Sequence, residues 1–432
     1  MLGMNRAFVP FFSGILAFFL LSGSGMAMAV DSNRFDSLKR FSQVLDIVEH
    51  YYVKEMPRTD LVNGALKGML QDLDPHSTLM NKEEFKEMQE TTSGEFFGIG
   101  IEITMENNQL VVVTPIEDTP AFKAGMKAGD IILTVAGKPT MEMSLQEAVS
   151  LIRGPKGTPV ELTILHTNAK EPEVINVMRD TIPLISVKTR ELEPGYHWIR
   201  ITRFNEHTTD ELLDSIKSAS AKDPLKGIVL DLRNNPGGLL DQAVSVSDVF
   251  LNSGTIVSMR GRGSDSIREF TAKPQNTDVD VPLVVLVNAG SASASEIVSG
   301  ALQDQKRALL VGERTFGKGS VQNVIPLSDG SGLKLTVALY YTPSGRSIQA
   351  EGIQPDFEIP FEKTTEKKLQ PLRMLREKDL SRHLEKGGIG KKEEPGTKAK
   401  TSAEVQEMLD KDNQLRMGLQ FVKALPTMRD IR

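Results

Sequence analysis

The sequence predicts a multi-domain α/β protein: a helical N-terminal segment, a small β-rich module, a larger α/β core with a cap, and a helical C-terminal tail. Three observations carry this. Apolar runs at Gly227–Asp231, Val281–Gly290 and Ala308–Gly312 read as buried strands, and glycine-rich turns follow them. Between residues 94 and 180, short strand-like runs are punctuated by Gly, Asn and Pro. Residues 31–93 and 403–425 carry apolar residues at helical spacing. A chain of 432 residues with 39% hydrophobic content is long enough to bury its core in two or three domains.

Residues 1–29 hold one charge, Arg6, then an apolar run from Phe8 to Leu21 and the small-residue end Ala27-Met28-Ala29. This is the pattern of a secretory signal peptide, so residues 1–29 are set apart from the fold and the mature chain is expected in the periplasm or otherwise exported. An uncleaved membrane anchor is the alternative, and the apolar run is short for a bilayer span. Without cysteine, neither a lipoprotein anchor nor disulfides are available, and stability must come from the core. Loss of Arg6 with the leader takes the net charge from −6 to −7, which argues against nucleic acid as a partner.

Residues 30–93 form the N-terminal helical segment. Phe35, Leu38, Phe41, Val44, Leu45, Val48 and Tyr52 make one amphipathic stripe, and Leu61, Leu66, Met69 and Leu70 another, with packing on the core the expected fate of most of them. In residues 94–180, the segment from Phe97 to Ile103 is a glycine-hinged loop running into a strand. Leu110–Val113 is its antiparallel partner across the Asn107-Asn108 turn, and Ile131–Val135 is a further strand. Ser144–Ile152 has helical spacing and stops at Gly154-Pro155-Lys156-Gly157. This arrangement resembles a PDZ domain, with Phe97-Gly98-Ile99-Gly100 as its carboxylate-binding loop. The resemblance implies peptide binding by strand addition, in a pocket lined by Phe97, Ile99 and Ile101 with Ala148 and Leu151 from the helix. Gly98 and Gly100 would free the loop amides to face a terminal carboxylate.

Residues 181–362 carry the chemistry. Ser293 falls where the strand ending at Gly290 meets a helix from Ala294 to about Gln305, marked by Ile297, Val298, Ala301 and Leu302. Amides are unpaired at a helix start, so that of Ala294 is a natural donor to an oxyanion. Lys318 stands 25 residues after Ser293 in Thr315-Phe316-Gly317-Lys318-Gly319, room for one helix, one strand and a turn. A buried, neutral lysine can take a serine proton, and Gln322 could hydrogen-bond its amine. Alone, either segment also fits a tightly packed helix start or a surface turn; together they favour a nucleophile and its base. After Gly227–Asp231, the turn Leu232-Arg233-Asn234-Asn235-Pro236 closes in Gly237 and Gly238, candidates for the other half of an oxyanion hole.

Other chemistries fare worse. Thiol catalysis is excluded, and the six histidines (His50, His76, His166, His197, His207, His383) form no metalloprotease helix motif. A Ser-His-Asp triad could assemble from distant residues, but Ser293 lacks the G-x-S-x-G elbow. No metal or cofactor is expected.

The strings DLRNNPGG, SASASE and TFGKGSVQ together resemble the carboxyl-terminal processing peptidases, also called tail-specific proteases, a Ser–Lys family. The likeness runs from about residue 35 to about residue 360 without departure at the motif positions. It implies a core of the ClpP/crotonase type, with Ser293 as nucleophile, Lys318 as general base, Gln322 as the lysine's orienting partner and Gly238 and Ala294 as oxyanion amides. Glu296 and Thr315 match positions near that centre, and Leu73-Asp74-Pro75-His76-Ser77 resembles the family's turn before its PDZ domain, with no catalytic part for His76. The implied activity is endoproteolysis through an acyl-enzyme, on exported proteins chosen by an exposed apolar C-terminus, with a mildly alkaline optimum. A non-catalytic PDZ scaffold and another acyl-transfer enzyme of thioester type remain as alternatives.

Residues 363–432 form the C-terminal linker and helices. Gly387–Lys400 reads as flexible linker. From Ala403 to Leu425, Val405, Leu409, Leu415, Leu419 and Val422 form an amphipathic stripe, expected to make a homo-oligomer contact, to dock an adaptor protein or to pack on its own subunit.

Overall fold

A computed structural model describes residues 32–167, 169–263, 266–362 and 402–429. The expected signal peptide and the expected linker at Gly387–Lys400 lie outside these residues. The chain divides into two compact units, Met1–Asp72 and Leu73–Arg432. In the first, the helices Ser32–Tyr51 and Arg58–Gln71 leave Phe35, Leu38, Phe41 and Val44 exposed. None of the described helices is long and apolar enough to cross a membrane.

In the second unit the helix Lys82–Ser93 opens on a capping box between Asn81 and Glu84 and ends on the left-handed Gly94. The ribbon Glu95–Gly98 with Asp180–Pro183 then brackets the β-rich module. Its main sheet runs in spatial order Ile101–Glu106, Gln109–Pro115, Ile131–Val135, Pro159–Leu165 and Glu173–Met178. Asn107 and Asn108, at φ +50° and +65°, make the two-residue turn between the first two strands. The helix Leu145–Ile152, capped by Ser144, closes the module's own core around Leu110, Ile132, Leu162 and Ile164.

The larger core is a six-stranded sheet: Val187–Glu193, Tyr196–Ile201, Gly227–Asp231, Leu283–Val287, Leu309–Gly312 and Phe357–Glu358. Only the first pair is antiparallel. Gly227–Asp231 and Leu283–Val287 are buried throughout, as strands covered on both faces must be. The helices Thr208–Lys222, Leu240–Phe250 and Ala294–Asp304 cover one face. The other face, with Val229, Val284, Leu286 and Val311, is covered by the helices Ala403–Lys411 and Asn413–Arg429. The stripe Val405, Leu409, Leu415, Leu419 and Val422 therefore packs on its own subunit, and the expected single helix breaks at Asp412.

A second, antiparallel sheet joins Thr78–Met80, Gly332–Tyr341, Thr255–Gly261 and Ile267–Thr271, with Ser320–Pro326 also paired to Gly332–Tyr341. The loops after three successive parallel strands carry Gly237 and Gly238, Ser293, and Lys318. All three leave the carboxyl ends of their strands, where open parallel sheets form their crevices.

Candidate active site

Ser293 sits at φ +54°, ψ −111°, a backbone conformation that costs a non-glycine residue about 1–3 kcal/mol. The turn is held by what surrounds it. The Ser293 amide donates to Glu296 Oε2 at 2.8 Å, while Asn235 accepts from the Ala292 amide and the Ser295 hydroxyl through its carbonyl. Asn235 also accepts the Gly237 amide with its side chain and donates to the Ile201 carbonyl, tying the two loops together.

Glu296 is fully buried and accepts four hydrogen bonds. Thr315 Oγ1 and the Gly317 amide donate to Oε1 at 2.6 and 2.7 Å, and the Ser293 and Lys318 amides to Oε2 at 2.8 and 2.9 Å. Two nitrogens bound to one oxygen at those distances are no more than 5.7 Å apart, so one carboxylate fixes the backbones of Ser293 and Lys318 side by side. Burial pushes the Glu296 carboxyl above its usual range, and the four hydrogen bonds offset only part of that rise. Three of the four partners are backbone amides that can only donate, an arrangement that favours the anion. Thr315 Oγ1 in turn accepts the Ile353 amide, and the Phe316 amide donates to the Ser291 carbonyl, so the lysine loop is stitched along its length.

The half-buried Lys318 amine is held below the usual lysine range, first by burial and then by the Lys334 ammonium, against Asp74 and Glu296, whose charges favour its protonation. Among the described residues it makes no hydrogen bond or ion pair, either to the Ser293 hydroxyl or to Gln322. The Gln322 amide donates instead to the Ser320 carbonyl and hydroxyl and to Thr336 Oγ1.

Gly237, at φ +100°, lies against the nucleophile: a Cβ there would stand 2.8 Å from Ser293 Cβ and 3.0 Å from the Ala294 nitrogen. Gly238, at φ +149°, has no room either, since its Cβ would meet the Phe204 carbonyl oxygen at 2.0 Å. The amides of Gly238 and Ala294 donate to no described group. They stand on the two turns that meet at Ser293.

Curated proteins resemble the chain over most of its length. It is 47% identical over 365 residues to a carboxy-terminal-processing protease of Bartonella bacilliformis, covering 82% of this chain and 83% of that one. A second relative, the carboxy-terminal processing protease CtpA of Bacillus subtilis, is 40% identical over 78% of this chain and 72% of its own. The family description Peptidase family S41 matches residues 195–359, PDZ domain residues 111–165, and the Activating protease CtpB N-terminal domain residues 23–84. The chain belongs to peptidase family S41. A solved photosystem II D1 C-terminal processing protease is also similar, at 32% identity, over 74% of this chain and 92% of that one, with a TM-score of 0.43.

As an S41 member the protein is a serine-type peptidase with a PDZ domain, which sets aside the scaffold and thioester alternatives. In the PDZ module a cavity of about 90 Å³ opens beside the edge strand Ile101–Glu106. Gly98, Ile99, Gly100 and Ile101 line it, as the sequence predicts. Phe97, Ala148 and Leu151 do not; their neighbours Phe96, Val149 and Ile152 take those places. Phe97 pairs with Thr181 in the ribbon and stays exposed, while Ala148 is sealed in the module's core and Leu151 packs against it. The amides of Ile99 and Gly100 donate to no described group.

Three features escaped the sequence reading. Arg153, just past the PDZ helix, lines the cavity, stacks on Phe96 at 4.6 Å and pairs with Glu90 at 2.8 Å. Arg233, buried one residue before the Asn234-Asn235 turn, binds Asp231 through Nε and Nη2, and Asp412 and Gln414 of the C-terminal helices through Nη1 and Nη2. Burial opposes both charges, yet these bonds hold Asp231 below the usual carboxylate range and Arg233 above the usual guanidinium one. The third is the reach of the Leu73–Ser77 turn, read from sequence only as a family-like turn: its Asp74 carboxylate acts on Lys318, 244 residues downstream. No local motif signals such long-range partners.

Proposed function

We propose that the protein is an endopeptidase in which Ser293 attacks the scissile carbonyl and Lys318, as the free amine, takes its proton. The oxyanion that develops accepts from the amides of Gly238 and Ala294; the lysinium then protonates the leaving amine, and water resolves the acyl-enzyme by the same route in reverse. One observation carries the reading: the single buried carboxylate of Glu296 grips the amides of both Ser293 and Lys318. The catalytic hydrogen bond itself closes with substrate in place, as such bonds commonly do. Gln322, turned from Ser320 toward the amine, would then steady it.

The substrates in this reading are exported proteins with an exposed apolar C-terminus, which enters the PDZ cavity as an added strand on Ile101–Glu106. The same reading places the enzyme in the periplasm after removal of residues 1–29. The exposed stripe of Phe35, Leu38, Phe41 and Val44 supports a contact with a second copy or an adaptor through the N-terminal helices.

The test is cleavage of an unstructured protein with an apolar C-terminus by the wild type, Ser293→Ala and Lys318→Ala. Both variants should lose cleavage and retain tail binding, whereas Val149→Glu should lose tail binding. Full cleavage by either catalytic variant would refute the pair.

A further inference from the structure

Three strands tie an unclaimed carboxylate to Gln322, near enough to Lys318 for its charge to be felt there. Gly332–Tyr341 lies between Thr78–Met80 on one edge and Ser320–Pro326 on the other. A register shift between Val321 and Gln322 sets Gln322 opposite Thr336. Gln322 Nε2 donates to Thr336 Oγ1 at 3.4 Å, and Thr336 Oγ1 donates onward to Asp74 Oδ1 at 3.2 Å. The Thr336 amide donates to Ser77 Oγ, which itself donates to Asp74 Oδ2 at 2.7 Å. The amides of His76 and Ser77 complete the shell at Asp74 Oδ1, so this carboxylate is fixed from every side.

We propose that Asp74 is a positioning residue of the proteolytic centre, steadying Gln322 and the lysine strand through Thr336. The inference rests on the Ser–Lys reading above and deepens it. The amine's field is set by few groups: Lys334 repels its proton, Asp74 and Glu296 hold it, and the His76 ring lies close enough to be felt in turn. Burial tends to raise the Asp74 carboxyl, but its hydrogen bonds outweigh this and keep it below the usual range, hence charged throughout the working pH range. Asp74 therefore both anchors the relay and stabilises the lysinium that forms when Ser293 gives up its proton.

Thr336→Val cuts the relay but leaves the charge. It should lower kcat roughly tenfold or more, because a small displacement at a reacting group is costly, with KM and the acid limb of the pH profile in place. Thr336→Ser keeps the hydroxyl and should restore most of the rate. Asp74→Asn removes the charge as well: kcat should fall, and the acid limb should move to lower pH, since an amine with less negative charge nearby loses its proton more readily. A purely structural role would move neither the limb nor the serine-to-valine difference. If Thr336→Val matches Thr336→Ser and wild type, the inference is overturned; it is equally overturned if folded Asp74→Asn keeps both kcat and limb. Failure of Asp74→Asn to fold leaves the Thr336 pair to decide. Ser293→Ala run alongside separates the cases: equal rates for it and wild type would sink the Ser–Lys reading itself.

Discussion

Replacing Glu296 by glutamine keeps the shape of the side chain and removes one acceptor oxygen. Each oxygen now takes two donors, so an amide nitrogen must face either the Ser293 and Lys318 amides or the Thr315 hydroxyl and Gly317 amide. The second orientation is less costly, because the Thr315 hydroxyl can turn and accept. One buried donor, the Gly317 amide, is then stranded against an N–H group, and the three surviving bonds lose their charge assistance. With about 1.5–3 kcal/mol for a hydrogen bond to a charged group, the expected destabilisation is about 3 kcal/mol. For a core of this size that corresponds to a fall of about 6–12 °C in Tm. The lysine loop would also shift relative to Ser293, so kcat should fall about a hundredfold or more with little change in KM. Scanning calorimetry and steady-state cleavage of a short peptide measure the two. A variant that melts and cuts like the wild type would refute the claim that Glu296 sets the spacing of nucleophile and base.

Gly237→Ala should abolish cleavage, because its Cβ has no space beside Ser293 and φ +100° is strained for alanine; retained kcat would contradict the placement of that turn. Lys318→Met should lose activity yet melt higher at neutral pH. The amine's lowered proton affinity means that the ammonium destabilises the folded state, and this deficit should fade as pH rises through the folded value toward 10.5, so melting curves at pH 7 and pH 10 check the sign. The same proton must leave before catalysis, so kcat/KM should rise from neutral toward mildly alkaline pH; a profile flat down to pH 5 would contradict lysine as the base. Asp412→Ala removes two bonds to Arg233 and a third from the Leu415 amide; it should cost about 2 kcal/mol in chemical denaturation and lower kcat through the Asn235 turn. Unchanged kcat would uncouple the C-terminal helices from the site.

What the sequence revealed was local. A continuous apolar run identifies the strand Leu283–Val287, since a strand covered on both faces has no polar side to show, and its junction with the helix Ala294–Asp304 locates Ser293. The PDZ loop was legible through its resemblance to known PDZ loops, and Gly98, Ile99, Gly100 and Ile101 do line the cavity. The face of the PDZ helix was not: Leu145, Ala148, Val149, Leu151 and Ile152 surround eight residues with apolar groups on most sides, so periodicity cannot say which side meets the core. The partners of Arg233 and Thr336 lie 179 and 262 residues away, and polar pairs at such separations leave no periodic trace. Gln322 was readable as a neighbour of Lys318, but its alternative partner Thr336 depends on a strand register that a bulge has shifted.

The sheet that carries the catalytic loops is roofed on one side by residues 403–429, which follow every one of those loops in the chain. A ribosome makes the polypeptide in order, so Val229, Val284 and Leu286 stay uncovered, and Arg233 lacks two of its three side-chain partners, until those helices arrive. A chain that stopped short of residue 403 would leave this apolar face open and Arg233 paired with Asp231 alone.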